Sequence, residues 1–201
     1  MFNPFKPRPS TPARAPEAAD PSRNALVPRI KHLTFERELR GRGIPAEHLP
    51  LIDALAGELL VTYAFDQPEQ FVMANPTNMA RAGISLDEAR ALACANLRSR
   101  LPELEYVRGP GVSLVVTGGD WEACLLLLNE VWQGTQARFN AGFVVCAPRR
   151  DRLLISDGVD AQTIASMRQA ADRFFAERDD GHALSVQLMT RLGGQWRLHV
   201  Q

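Results

Sequence analysis

The residues able to do chemistry are few and dispersed. The cysteines are Cys94, Cys124 and Cys146, none in a C-x-x-C pair, and no histidine stands at zinc-ligand spacing from them. All three lie in apolar surroundings, where cysteine packs as a small hydrophobe. A catalytic thiol needs a neighbouring base, and the sequence supplies none. The histidines, His32, His48, His182 and His199, fall in no H-E-x-x-H pattern, and no G-x-S-x-G elbow is present. No catalytic residue, metal site or cofactor is therefore expected.

Three polar groupings remain. Gly118-Gly119-Asp120 follows an apolar run and opens an expected helix. Backbone N–H groups at such a step can hold an anion. Asp120 fits better as a helix N-cap, and its charge disfavours a phosphate. The second grouping is Asn96, Arg98, Ser99 and Arg100 near a helix C-terminus, where arginine complements the dipole. Asn96 is a poor helix former, and a contact to a neighbouring strand or loop explains it best. The third is Arg149-Arg150 in a turn. Arginine suits carboxylate and phosphate recognition, so Asn96, Arg98, Arg149 and Arg150 are the candidate ligand contacts. Asp151 and Asp157 bracket one strand, about 20 Å apart, too far for paired-carboxylate chemistry.

Charge and composition narrow the classes. The chain has 201 residues, with 23 basic and 23 acidic side chains. Neutrality argues against binding nucleic acid through bulk charge. No apolar run approaches the length of a membrane span, and none near the start resembles a signal-peptide core. A cytoplasmic protein is expected. Of 14 prolines, seven fall in the first 28 residues (Pro4, Pro7, Pro9, Pro12, Pro16, Pro21 and Pro28). Residues 1–24 are therefore expected to form an extended, disordered tail, more basic than acidic.

The elements that must position the candidates follow from periodicity. Residues 25–57 are expected as an N-terminal helical segment, with one helix from Pro28 to about Arg40 and another from Ala46 to Gly57. Residues 58–201 are expected as an α+β domain. Leu59–Phe65 and Gln70–Ala74 read as a hairpin. Ser85-Leu86-Asp87-Glu88 reads as a capping box for a helix to about Arg100. Further helices are expected near 120–133 and 160–178, each preceded by two strands, with strands near 184–192 and 195–200 closing the chain. This helix–strand–strand unit recurs every 35 to 40 residues or so. The order over 111–192 matches a split βαβ. The expected fold is a largely antiparallel sheet with helices on one face.

Tyr63-Ala64, Ala93-Cys94-Ala95-Asn96-Leu97-Arg98-Ser99, the run from Ala147 to Asp157, Phe174-Phe175 and Ala183-Leu184-Ser185 stand in an order that resembles the YtpQ-like family, bacterial domains of unknown function. The resemblance spans about 58–192. It implies a fold and a soluble intracellular setting and carries no catalytic residues. The Pro-rich start and the strand from Gln195 to Val200 depart from it. Two functions remain open. One is a non-enzymatic interaction or regulatory module with a protein partner. The other is a small-molecule or anion-binding domain, with or without enzymatic activity.

Overall fold

The computed structural model describes residues 21–138, 142–156, 158–177 and 181–200. Residues 1–20 of the expected tail, and Asp157, lie outside the described residues. The fold is α+β and built from two antiparallel sheets. The smaller contains β1 (Leu26–His32), β2 (Ile52–Ala56), β3 (Leu59–Gln67) and β4 (Gln70–Met73). β3 lies between β1 and β2, and β4 hairpins back onto it. The larger contains β5 (Glu105–Arg108), β6 (Val112–Val116), β7 (Val144–Arg149), β8 (Arg152–Ser156), β9 (Met189–Leu192) and β10 (Gln195–Leu198), in the order β10-β9-β7-β8-β6-β5. The helices are α1 (Thr34–Arg40), α2 (Pro76–Arg81), α3 (Ala89–Arg98), α4 (Asn129–Arg138) and α5 (Ala161–Phe175).

The expected helix from Pro28 is instead strand β1, and only Thr34–Arg40 behind it is helical. Proline is admissible at the first turn of a helix and also on a sheet edge, where its missing N–H faces away from the ladder. β1 pairs with β3 alone and takes the second option. Its unladdered carbonyls are met by side chains. Asn96 Nδ2 donates to the carbonyls of Arg23 and Leu26 at 2.8 and 2.9 Å, and Cys124 Sγ to that of Pro28 at 3.3 Å. The expected helix over 46–57 is a single 3-10 turn, Ala46–His48, followed by β2. Residues Arg23–Ala25, at the end of the expected tail, also form a 3-10 turn.

The helix expected near 120–133 splits. Ala123–Leu127 is a 3-10 turn, and α4 begins only at Asn129. Every residue from Ala123 to Leu128 is buried. A segment apolar on all sides has no solvent face, so it threads the core rather than lying on it.

The larger sheet has two working faces. Val144, Cys146 and Leu154 pack against Ile164, Met167 and Ala171 of α5. The alternate residues Val145, Ala147, Leu153 and Ile155 face the main core. That core is shared with the smaller sheet, with α3 through Ala89, Ala93 and Leu97, and with the Ala123–Leu128 segment. The small side chains of α3, four residues apart, let the helix lie close on β1. Leu86, expected on that stripe, is exposed because α3 starts after it. The element order over 111–192 holds, but β6, β7, β8 and β9 pair only antiparallel. A split βαβ needs a parallel pair, so that topology is not formed.

Two turns match their sequences. Leu192 pairs with Gln195 across Gly193 and Gly194, both at positive φ (56° and 81°), which a two-residue primed turn requires. Arg149 pairs with Arg152, so Arg150 and Asp151 form the tip between β7 and β8.

Candidate functional site

The four arginine and asparagine candidates do not converge. Asn96 and Arg98 lie on α3, and Asn96 is engaged with the backbone at β1. Arg98 pairs with Glu130 at the start of α4. This pair borders an open groove of about 530 Å³ lined also by Arg90, Cys94 and Leu128. Asn96, Arg149 and Arg150 do not line that groove. Arg149 and Arg150 stand together at the β7–β8 tip. Arg149 is buried and its Nε lies 3.2 Å from Asp151 Oδ1. Asp151 also meets Arg152 at 3.0 Å, with His182 Nδ1 at 3.9 Å. Backbone bonds hold the tip on both sides: Arg150 N–H donates to the His182 carbonyl (2.9 Å), and Ala123 N–H to the Arg150 carbonyl (3.1 Å).

The three thiols, Tyr63 and Ser185 are held by burial or by hydrogen bonds. Burial pushes the Cys124 thiol up to about 11 and the Cys146 thiol up to about 12. Burial also raises the half-buried Cys94. Tyr63 is raised by burial and by its hydrogen bond to Asp53. Ser185 Oγ donates to Glu58 Oε2 at 2.6 Å, and His32 Nε2 lies 3.7 Å from the same oxygen. Here the carboxylate stands between serine and histidine. In a catalytic triad the histidine stands between them and takes the serine proton. Among the described residues, no group of three or more His, Cys, Asp or Glu side chains is placed to hold a metal.

These thiols give a direct check. At pH 8, a thiol reagent is expected to titrate Cys94 slowly and Cys124 and Cys146 only after unfolding. Two thiols reacting fast in the folded protein would contradict the burial. The pH sign follows from the raised values. Their contribution to stability is complete below the ordinary thiol value of 9.0 and is lost as pH rises toward about 11 for Cys124. For Cys146 the loss extends to about 12.

The Gly118-Gly119-Asp120 step does hold an anion, and the anion is the protein's own. The buried Glu122 carboxylate accepts from the N–H groups of Thr117 (2.8 Å), Gly119 (2.7 Å) and Trp121 (3.1 Å). Asp120 is not the N-cap. The 3-10 turn that follows is entered from Glu122.

The outer face of the larger sheet is only partly covered. α5 lies over β7, β8 and β6. Beside it runs an open groove of about 520 Å³, floored by Val107, Val112 and Leu114 and walled by Ala170, Arg173 and Phe174. Val107 on edge strand β5 is 56% exposed. Arg108 and Arg173 are the only charged residues lining the groove, and neither has an ion pair among the described residues.

The chain is similar to UPF0354 proteins of bacteria. One from Halalkalibacterium halodurans is 23% identical over 154 residues, covering 76% of this chain and 56% of that protein. One from Bacillus cytotoxicus is 23% identical over 156 residues, covering 76% and 55%. One from Bacillus cereus is 25% identical over 122 residues, covering 60% and 45%. The chain thus spans about half the length of the curated relatives it matches. Their names carry a family designation and no activity. No family model matches the chain, and no solved structure matches it. No helix among the described residues is long and apolar enough to cross a membrane.

Proposed function

We propose that the protein is a non-enzymatic interaction module of the bacterial cytoplasm, and that it docks an acidic, amphipathic helix of a protein partner in the groove between α5 and β5–β6. The YtpQ-like resemblance supports the setting, and the raised thiols and the committed serine support a non-catalytic role. One observation carries the docking. The outer face of the sheet has its helix on one side and an apolar strip on the other, flanked by two arginines without ion pairs among the described residues. Helices in one layer pack about 8–10 Å apart, so the uncovered strip suits one more helix beside α5. Val107, Val112 and Leu114 offer the apolar floor. Arg108 and Arg173 select an acidic rim, because charge complementarity steers encounter and rejects basic partners.

The test uses two model helices with the same apolar face, one with glutamates and one with lysines on its flanks. In fluorescence anisotropy the acidic helix is expected to bind at least about tenfold more tightly. The double variant R108E/R173E is expected to reverse that preference while keeping its melting temperature. Equal binding of both helices, or a preference unchanged in the variant, would refute the reading. Dimerisation of the protein abolished by V107D would assign the groove to a second copy instead.

A further inference from the structure

The larger sheet ends in a strand with one side unpaired. β5 pairs with β6 and with no other strand among the described residues. The Gly109 N–H donates to the Val112 carbonyl at 2.9 Å, one step past the last ladder pair, Arg108 with Ser113. Backbone direction alternates along an antiparallel strand. Val107 and Glu105 therefore turn their N–H and C=O groups toward β6, and Tyr106 and Arg108 turn theirs outward. No backbone or side-chain partner meets those outward groups among the described residues. β1, on the edge of the smaller sheet, differs: the carbonyls of Leu26 and Pro28 are met by Asn96 and Cys124.

A groove lies on each face beside this edge. Val107 faces the groove next to α5. On the core side an open groove of about 300 Å³ runs between β5 and α4, lined by Leu104, Tyr106, Val131 and Thr135. Leu104 and Val131 also border a further depression of about 290 Å³ that reaches Leu101 and Leu128. The rim on this side is acidic. Glu103 lines the groove and Glu105 stands on β5; both are exposed, and neither has an ion pair among the described residues. Arg98, at the far end of the depression, is already paired with Glu130.

A row of free N–H and C=O groups is matched by another extended chain, whose backbone repeats at the same spacing. Strand side chains point alternately to opposite faces. An added chain would send one set toward Leu104 and Tyr106 and the other toward Val107. We propose that β5 is a strand-addition site for an extended peptide segment of a protein partner, apolar at alternate positions and basic where it passes Glu103 and Glu105. Opposite charges on neighbouring strands stabilise the pair, and like charges oppose it. The two carboxylates thus select lysine or arginine and reject an acidic strand. The helix in the outer groove rests on the side chains of Val107, Val112 and Leu114. The added strand rests on the β5 backbone and the core-side groove, and it takes the opposite charge.

Fluorescence anisotropy with the full chain tests this, using a short peptide of alternating valine and threonine with lysines at one end. It is expected to bind saturably, and its counterpart with glutamates in place of the lysines at least about tenfold more weakly. E103K/E105K is expected to weaken the lysine peptide about tenfold or more. Both residues are exposed, so the variant should melt with the parent. N-methylation gives a readout that side-chain contact alone would not move, because only alternate residues of an added strand bond to its neighbour. Methylating one alternate set of peptide N–H groups is expected to abolish binding, and methylating the other to leave it within about threefold. Equal loss from both sets, parent-like binding by E103K/E105K, or no saturable binding up to about 1 mM peptide would overturn the proposal. So would a dimer of the chain that the peptide dissociates, which would assign the edge to a second copy. The acidic helix is a separate probe, so this peptide can fail while the helix still binds, and the reverse.

Discussion

Replacing Trp132 with alanine is expected to lower the unfolding free energy by about 3–5 kcal/mol, the largest single loss in the core. Trp132 is 1% exposed. Its indole stacks on Phe143 at 5.8 Å between centroids and meets Trp196 edge-on at 4.7 Å. Its Nε1–H donates to the Leu125 carbonyl and that of Trp196 to the Leu126 carbonyl, both at 2.7 Å. Two indoles therefore clamp one 3-10 turn from α4 and from β10. The Leu125 carbonyl keeps a second donor, the N–H of Leu128 at 3.0 Å. The loss is accordingly a cavity term rather than an orphaned polar group. Typical domains have about 5–15 kcal/mol in total, so W132A is expected to bring the protein near its unfolding threshold. Chemical denaturation checks it, with W132F as the milder control. A W132A loss below about 1 kcal/mol would mean the site collapses freely, and the clamp would be wrong. In a double-mutant cycle W132A and W196A should be strongly non-additive, because they share one contact.

How much of this was legible in the sequence depends on what each signal measures. Hairpins were legible where turn chemistry is local: Gly193-Gly194 admits positive φ at both positions, and the tip at Arg150-Asp151 separates two apolar runs. The α5 helix was legible because its apolar stripe is amphipathic and Asp160 caps it through the N–H groups of Gln162 and Thr163. β1 was not, because Pro28 is compatible with a helix start and a strand edge alike. Only the tertiary partner β3 decides between them. A signal for α2 stood unused: Asn75 before Pro76 is an N-cap followed by a first-turn proline. The 3-10 segment was misread because period arguments need a polar face, and Ala123–Leu128 has none.

The site followed the same rule. Asn96 was expected to contact a neighbouring strand or loop, and it meets the carbonyl of Leu26 on β1. Arg149 and Arg150 were adjacent by sequence, and they stay adjacent at the tip. Arg29 and Lys31 fall within the segment expected as a helix from Pro28 and lie instead on β1. Their spacing of two puts them on one side of the strand, where Arg29 meets Phe71 and Trp121. Those contacts are long-range, and no local pattern encodes them. The groove depends on an absence in the helix layer, which also appears only when the sheet is assembled.

Glu122 joins the local and long-range parts, and its substitution is expected to be the other severe change. Its carboxylate is 2% exposed and accepts three backbone N–H groups from the loop at Thr117, Gly119 and Trp121. Charge-assisted bonds of this kind contribute about 1.5–3 kcal/mol each before desolvation is counted. Alanine would leave those donors to find water in a buried loop, and E122A is expected to cost about 3–4 kcal/mol. E122Q separates charge from shape. A glutamine oxygen can still accept from Thr117 and Gly119, but its amide would present N–H to the Trp121 N–H. About half the alanine cost is therefore expected. Equal stabilities for E122A and the parent in denaturant titration would show that the loop does not depend on its internal anion. The consequence reaches further than stability. Asp120 and Trp121, which the carboxylate fixes, supply the carbonyl and the ring against Arg29. Loosening that loop should disturb the contacts of Arg29 with Trp121 and the Asp120 carbonyl in E122Q even where the protein stays folded. Acidic-helix binding in the groove, on the far face of the other sheet, should remain unchanged in the same variant. A loss of helix binding in folded E122Q would instead mean that the loop and the groove share one global state.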